Sequence, residues 1–213
     1  MLLSVNVGLP REILHRGQTV TTGIYKSPVA GAVWLRRRNL AGDGQADLRV
    51  HGGADKAVYA YPFEHYGFWA RELGRDDFSY GQFGENFTVE GMLEDEVCIG
   101  DIFRIGAATV AVSQPRTPCF KLGIRMGDDG FPARFTAAQR TGFYLRVPAE
   151  GRVAAGETIE LVQRAADSLS VRDAFRLRHG SGGTLAEYER AARVAHFSPT
   201  WRAAFEKRLA EMV

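Results

Sequence analysis

Charge of one dominant sign is the first thing missing. In 213 residues, 27 lysines and arginines face 25 acidic residues, for a formal net charge of +2. A balance that even gives no reason to expect a nucleic acid polymer or a membrane surface as partner, so any functional positive charge has to be local. Long apolar runs are missing too, and none approaches the ~18 residues of a membrane span. The opening MLLSVNVGLPREIL has no basic leader and breaks its apolar stretch at Gly8 and Pro10, so no signal peptide is expected and the expected location is the cytoplasm. There are only two cysteines, Cys98 and Cys119, which make no disulfide framework. Several motifs are absent as well. No G-x-G-x-x-G follows a strand, no paired Cys or His spacing suggests zinc, and no G-x-S-x-G suggests a serine hydrolase. Gly180–Thr184 looks like a phosphate loop but lacks its lysine and reads as a linker.

What is present is ordinary in bulk: 45% hydrophobic and 24% charged residues, enough for the core of one large domain. The region 1–164 is strand-like and rich in turns. ADLRVH (46–51) alternates apolar and polar residues, AVYAY (57–61) follows, and EVCIGDIFRIG and ATVAVSQP are joined by a tight glycine turn. PFEHYGFWARELG (62–74) reads as one inserted helix, with Gly74 where a C-terminal cap belongs. Short strands and 24 glycines predict a mainly β fold, a closed barrel with one or two inserted helices. The texture changes at about residue 165. Ser170, Thr184 and Ser198 each open a cap signal, so 165–213 is expected to be a small three-helix unit, for packing or dimer formation rather than chemistry.

Three stretches could carry chemistry. In SQPRTPCFKLG (113–123), Arg116 and Lys121 flank Cys119 while Pro115 and Pro118 stiffen the loop. Nearby cations favour the thiolate, which is the nucleophilic and metal-binding form; the plain alternative is a small buried hydrophobe. Cys98, alternating with Val97 and Ile99, reads as a core strand residue. His51-Gly52-Gly53 with Lys56 is either an anion cradle at a strand end or a solvated loop. Asn86, between Gly84-Glu85 and Phe87, could present its amide to a planar heterocycle or simply make a turn.

Taken together, GDGQADLRVHGGADKAVYAYP, GQFGENFTVEG, VCIGDIFRIG and SQPRTPCFKLG resemble the MOSC family, the molybdenum cofactor sulfurase C-terminal domain. SVRDAFRLRHG…FSPTWRAAFEKRLAE resembles the three-helix unit of its YiiM-like branch. The resemblance implies a β-barrel holding a molybdenum–molybdopterin cofactor, with the residue matching Cys119 as metal ligand. His51, Gly52, Lys56, Asn86, Arg116 and Thr117 match cofactor-facing motifs, and Arg49, Lys26 and Arg140 are further phosphate contacts to test. It also implies reduction of N-hydroxylated compounds, such as hydroxylaminopurine bases, with electrons from a separate flavoprotein reductase. A homodimer is left open. Pyridoxal phosphate binding also belongs to the family-level description. Two alternatives stand beside the reductase: a sulfur carrier with a persulfide on Cys119, and a barrel that only binds and carries the cofactor.

Overall fold

The computed structural model describes residues 1–47, 52–180 and 182–212. In chain order the strands are β1 (Leu2–Val7), β2 (Arg11–His15), β3 (Gln18–Thr22), β4 (Ser27–Pro28), β5 (Val33–Leu35), β6 (Val58–Pro62), β7 (Phe87–Val89), β8 (Ile102–Ile105), β9 (Ala108–Pro115), β10 (Phe143–Ala149), β11 (Gly151–Val153) and β12 (Ile159–Gln163). The helices are α1 (Glu64–Leu73), α2 (Phe120–Met126), α3 (Phe131–Ala137), α4 (Val171–His179), α5 (Leu185–Arg193) and α6 (Pro199–Ala210), and a 3-10 turn spans Ala54–Lys56.

Eight strands form one sheet in the order β12-β8-β9-β10-β6-β7-β1-β4, while β5 pairs with β11 and β2 with β3. The pair β6–β7 is parallel, with Ala60 opposite Phe87. The architecture corrects the sequence-based expectation of a mainly β closed barrel. The sheet is open, and helix and strand content are about equal. Its edges explain why it does not close. β4 has only two residues, and Pro28 has no N–H to offer a further strand. β12 at the other edge is exposed at four of its five residues.

The region before residue 165 also holds three α-helices rather than one or two. α2 and α3 are seven residues each, too short to show a helical period in the sequence. Glycine ends helices in the same region, as expected for Gly74. Gly74 and Gly127 end α1 and α2 in the left-handed conformation, at φ 60° and 70°. The helix expected over 62–74 starts at Glu64, because Pro62 closes β6. The strand read over 46–51 falls largely on residues 48–51, outside the described ones.

One core joins the sheet to the last three helices: Val110, Val112 and Leu145 pack in the same cluster as Phe175, Trp201 and Phe205. The joint is also hydrogen-bonded, Val171 N–H to Val97 O at 2.9 Å and Ile99 N–H to Leu169 O at 2.9 Å. Ser170, Thr184 and Ser198 cap α4, α5 and α6 through their side chains. Among the described residues no helix is long and apolar enough to cross a membrane.

A second, aromatic cluster holds α1 and α3 against β6. Phe135 stacks on Trp69 at 5.4 Å and on Tyr61 at 5.7 Å between ring centroids, and Phe83 lies 5.8 Å away. Phe135 is fully buried, so Phe135→Ala is expected to cost about 3–5 kcal/mol through lost packing and the cavity left behind. Urea denaturation checks this; a shift corresponding to less than about 1 kcal/mol would mean the cluster collapses around the gap.

Candidate functional site

β9 runs out of the sheet at Pro115 and delivers Arg116, Thr117, Pro118 and Cys119 in succession before α2 begins. The Arg116 backbone N–H is tied to Gly142 O at 3.1 Å. Its side chain is 5% exposed, with the guanidinium 4.7 Å over the Tyr59 ring and 5.5 Å over Phe135. Atom Nη1 is buried and has no hydrogen-bond partner. A buried guanidinium nitrogen without an acceptor is costly, which points to a ligand that supplies the missing one. Cys119 is the N-cap residue of α2, extended at φ −125° and ψ 171°, half-buried and not in a disulfide.

Arg116 and Cys119 line one open cleft, with Lys26, Lys56, Tyr59 and Tyr144 among its other walls. Its floor is a polar network. Lys26 is ion-paired with Asp43, whose side chain is 1% exposed. Asp43 also accepts from Gly8 N–H at 2.9 Å and from Asn86 Nδ2 at 3.0 Å. The Asn86 amide is fully engaged: Oδ1 accepts from Tyr59 N–H at 3.1 Å, and Nδ2 also donates to Asn6 O at 3.2 Å. Asn86 therefore fixes the cleft wall from within. Burial pushes the Lys26 ammonium below its usual range, against the pull of Asp43. Lys56 is lowered too, first by burial and then by the nearby charge of Arg178.

The remaining sequence-derived site residues scatter. Thr117 is exposed and does not line the cleft; its Oγ1 lies 3.0 Å from His179 Nε2, so α4 touches the Cys119 loop. Burial and then Arg178 hold His179 below the usual histidine range. Gly52 does not line the cleft, and Arg49 and His51 lie outside the described residues. Arg140 does not line it either; its Nη1 is 3.1 Å from His65 Nδ1 and its guanidinium lies 4.5 Å over Phe68. Cys98 is half-buried at an isolated bridge to Ser170 rather than inside a strand, and burial followed by Asp101 pushes its thiol up.

Tyr59, Tyr144 and Asp43 are cleft residues that sequence reasoning missed. Tyr59 reads as an ordinary strand residue of AVYAY, and only the fold brings it together with Asp43 and Tyr144. Among the described residues no group of three His, Cys, Asp or Glu could cage a metal ion. The family-level expectation of pyridoxal phosphate is not upheld: no such site is evident among the described residues, and the buried Lys26 is committed to Asp43.

A model of the MOSC domain matches residues 47–160, and a model described as a YiiM-like, 3-alpha helix domain matches 169–211. The chain is 46% identical over 207 residues to the uncharacterized protein YflK of Bacillus subtilis, covering 97% of this chain and 93% of that one. A protein of Gibberella moniliformis described as a reductase is 34% identical over 88% of this chain, a match that takes up 34% of its own length. The crystal structure of YiiM from Geobacillus stearothermophilus superposes with a TM-score of 0.82 at 36% identity, covering 98% of both chains.

Proposed function

The chain belongs to the MOSC family and carries its YiiM-like three-helix unit, and on that premise we propose that it is a molybdenum cofactor-dependent reductase of N-hydroxylated compounds. The observation that carries this reading is the unpartnered Nη1 of Arg116, buried in the same cleft as the Cys119 thiol. A cationic fork and a sulfur ligand side by side fit a group that is at once a polyanion and a soft metal centre. The lack of an all-protein metal cage is compatible with it, because the pterin brings its own sulfurs and asks one thiolate of the chain.

When bound, the cofactor supplies the electron pair that cleaves an N–O bond. The chain's part is to hold and orient. Cys119, stiffened by Pro115 and Pro118, offers its sulfur as ligand, while Arg116 and Lys56 answer the negative charge. The Lys26–Asp43–Asn86 network keeps the floor rigid. Hydroxylaminopurine bases suit a cleft with the half-buried Tyr144 ring in its wall, since a planar base can pack against it. A separate flavoprotein reductase is the proposed electron donor; the relative described as a reductase, which extends far beyond the matched region, supports a redox role.

Purification from a host that makes molybdenum cofactor tests the reading. Molybdenum and oxidised-pterin fluorescence are expected in equal amounts, together with amine production from hydroxylaminopurine under an artificial electron donor. Protein without molybdenum but with cyanide-labile sulfur on Cys119 would overturn it in favour of sulfur carriage. Loaded protein inert towards every N–O substrate would leave a cofactor carrier.

A further inference from the structure

We propose that residues 140–142, held in place by Glu94, form the seat that aims Arg116 at its ligand, which makes Glu94 a positioning residue for the ligand's anionic group. The proposal deepens the reading above, because it rests on Arg116 as the anion-binding fork. Glu94 lies in the loop after β7 and His65 on α1; both are fully buried, and neither lines the cleft.

Each residue of the seat is tied down. Glu94 Oε1 accepts from Gly142 N–H at 2.8 Å, Tyr59 O–H donates to Thr141 O at 2.8 Å, and Tyr61 O–H donates to Arg140 O at 3.0 Å. Gly142 has to be glycine: its φ is 66°, and a Cβ there would strike the Ala60 carbonyl oxygen. Both supports of Arg116 converge on this segment. Its backbone N–H donates to Gly142 O at 3.1 Å, and the ring 4.7 Å under its guanidinium is that of Tyr59, whose hydroxyl is held by Thr141. A shift of Gly142 therefore moves the base of the side chain together with the ring on which its tip rests.

The chemistry beneath the seat asks for a carboxylate. Glu94 Oε2 is 2.6 Å from His65 Nε2, and Arg140 Nη1 is 3.1 Å from the other ring nitrogen, Nδ1. A guanidinium can only donate, so Nδ1 accepts and the ring hydrogen sits on Nε2, from which it is donated to Glu94. Glu94 thus receives one hydrogen on each oxygen, which a carboxylate can do and an amide cannot. Arg140 closes the circuit, since it begins the seat and its side chain sets the tautomer of the histidine that steadies Glu94. Stability alone explains such a network poorly, because buried charged groups often stabilise a fold no better than apolar packing does. What it supplies is one fixed arrangement, behind the described cleft residue whose buried nitrogen awaits an acceptor.

Glu94→Gln tests this on the empty protein, with inorganic phosphate as the probe. Glutamine keeps the volume but turns its NH2 towards one of the two donors. Gly142 is expected to loosen and phosphate affinity to fall about tenfold, the scale of losing a partner that orients a ligating group. In an Arg116→Met background the same substitution should change phosphate affinity by less than about twofold, because no fork is left to aim. A second readout is spectroscopic. The Arg116 side-chain NMR signal, identified by its loss in Arg116→Met, should be displaced by the Tyr59 ring current in wild type and return towards an ordinary arginine position in Glu94→Gln. Should Glu94→Gln not fold, Tyr59→Phe cuts the other tie while keeping the ring, and phosphate affinity is expected to fall about three- to tenfold.

Wild-type affinity in a folded Glu94→Gln or, failing that variant, in Tyr59→Phe overturns the proposal. An equal loss with and without Arg116 overturns it too, since the network would then support the fold alone. None of these readings needs the cofactor. Protein that never loads molybdenum, or loads it and reduces no N–O bond, fails the reductase reading and leaves the seat to be judged by phosphate.

Discussion

Cys119→Ser is expected to abolish reduction of N-hydroxylated compounds, whereas Cys98→Ala should leave it intact. Serine keeps the shape of the side chain but replaces a soft, ionisable thiol with a hard hydroxyl that stays protonated at neutral pH. The expected loss exceeds about a hundredfold, more than removal of an outer partner of a metal ligand costs. Pterin should be retained in part, since Arg116 and Lys56 still line the cleft. Cys98 lies outside the cleft lining, at the Ser170 bridge, where alanine should cost about 1 kcal/mol of stability and nothing in turnover. Molybdenum content, pterin fluorescence and amine production are to be measured on the same samples. Turnover persisting in cofactor-loaded Cys119→Ser would remove the sulfur from the chemistry.

The stiff, cationic setting of Cys119 is legible in the sequence because it is local, whereas the strand expected at Cys98 is only an isolated bridge to Ser170. The prolines and cations around Cys119 are sequence neighbours, and their effect on a thiol needs no tertiary information. The caps of α4, α5 and α6 were legible for the same reason: an S/T side chain meets a backbone N–H three residues on, as Ser170, Thr184 and Ser198 do. Sheet closure is a different kind of question. It depends on whether β12 and β4 meet, and nothing in either segment reports on the other. The cleft wall was hidden likewise, since Tyr59 on β6, Tyr144 on β10 and Asp43 in the loop after β5 meet only through the fold. Arg140 was singled out for its charge, and the fold sets its guanidinium beside His65 rather than in the cleft wall. The three-helix unit was expected to pack, and it does share the core; its His179 also reaches Thr117 in the Cys119 loop.

Arg116 offers the clearest separation of function from stability. Arg116→Met fills nearly the same volume with an apolar chain, so the sandwich with Tyr59 and Phe135 should survive. In the empty protein two effects oppose each other. The substitution loses cation–π attraction worth about 0.5–2 kcal/mol, and it removes a buried unpaired N–H that costs about 1–3 kcal/mol. Net stability is therefore expected to stay within about 1 kcal/mol of wild type, or to rise. Binding moves in one direction only. Each charge-assisted hydrogen bond to the ligand's anionic group is worth about 1.5–3 kcal/mol, so pterin affinity should fall about ten- to hundredfold. Arg116→Lys should recover only part of it, because a single ammonium cannot reproduce the fork that rests on the two rings. Denaturant midpoints of the empty proteins and pterin content of the loaded ones read the two effects separately. Full pterin occupancy in Arg116→Met would move the anion site elsewhere, and a large stability loss would mean the guanidinium is there for the fold rather than for a ligand.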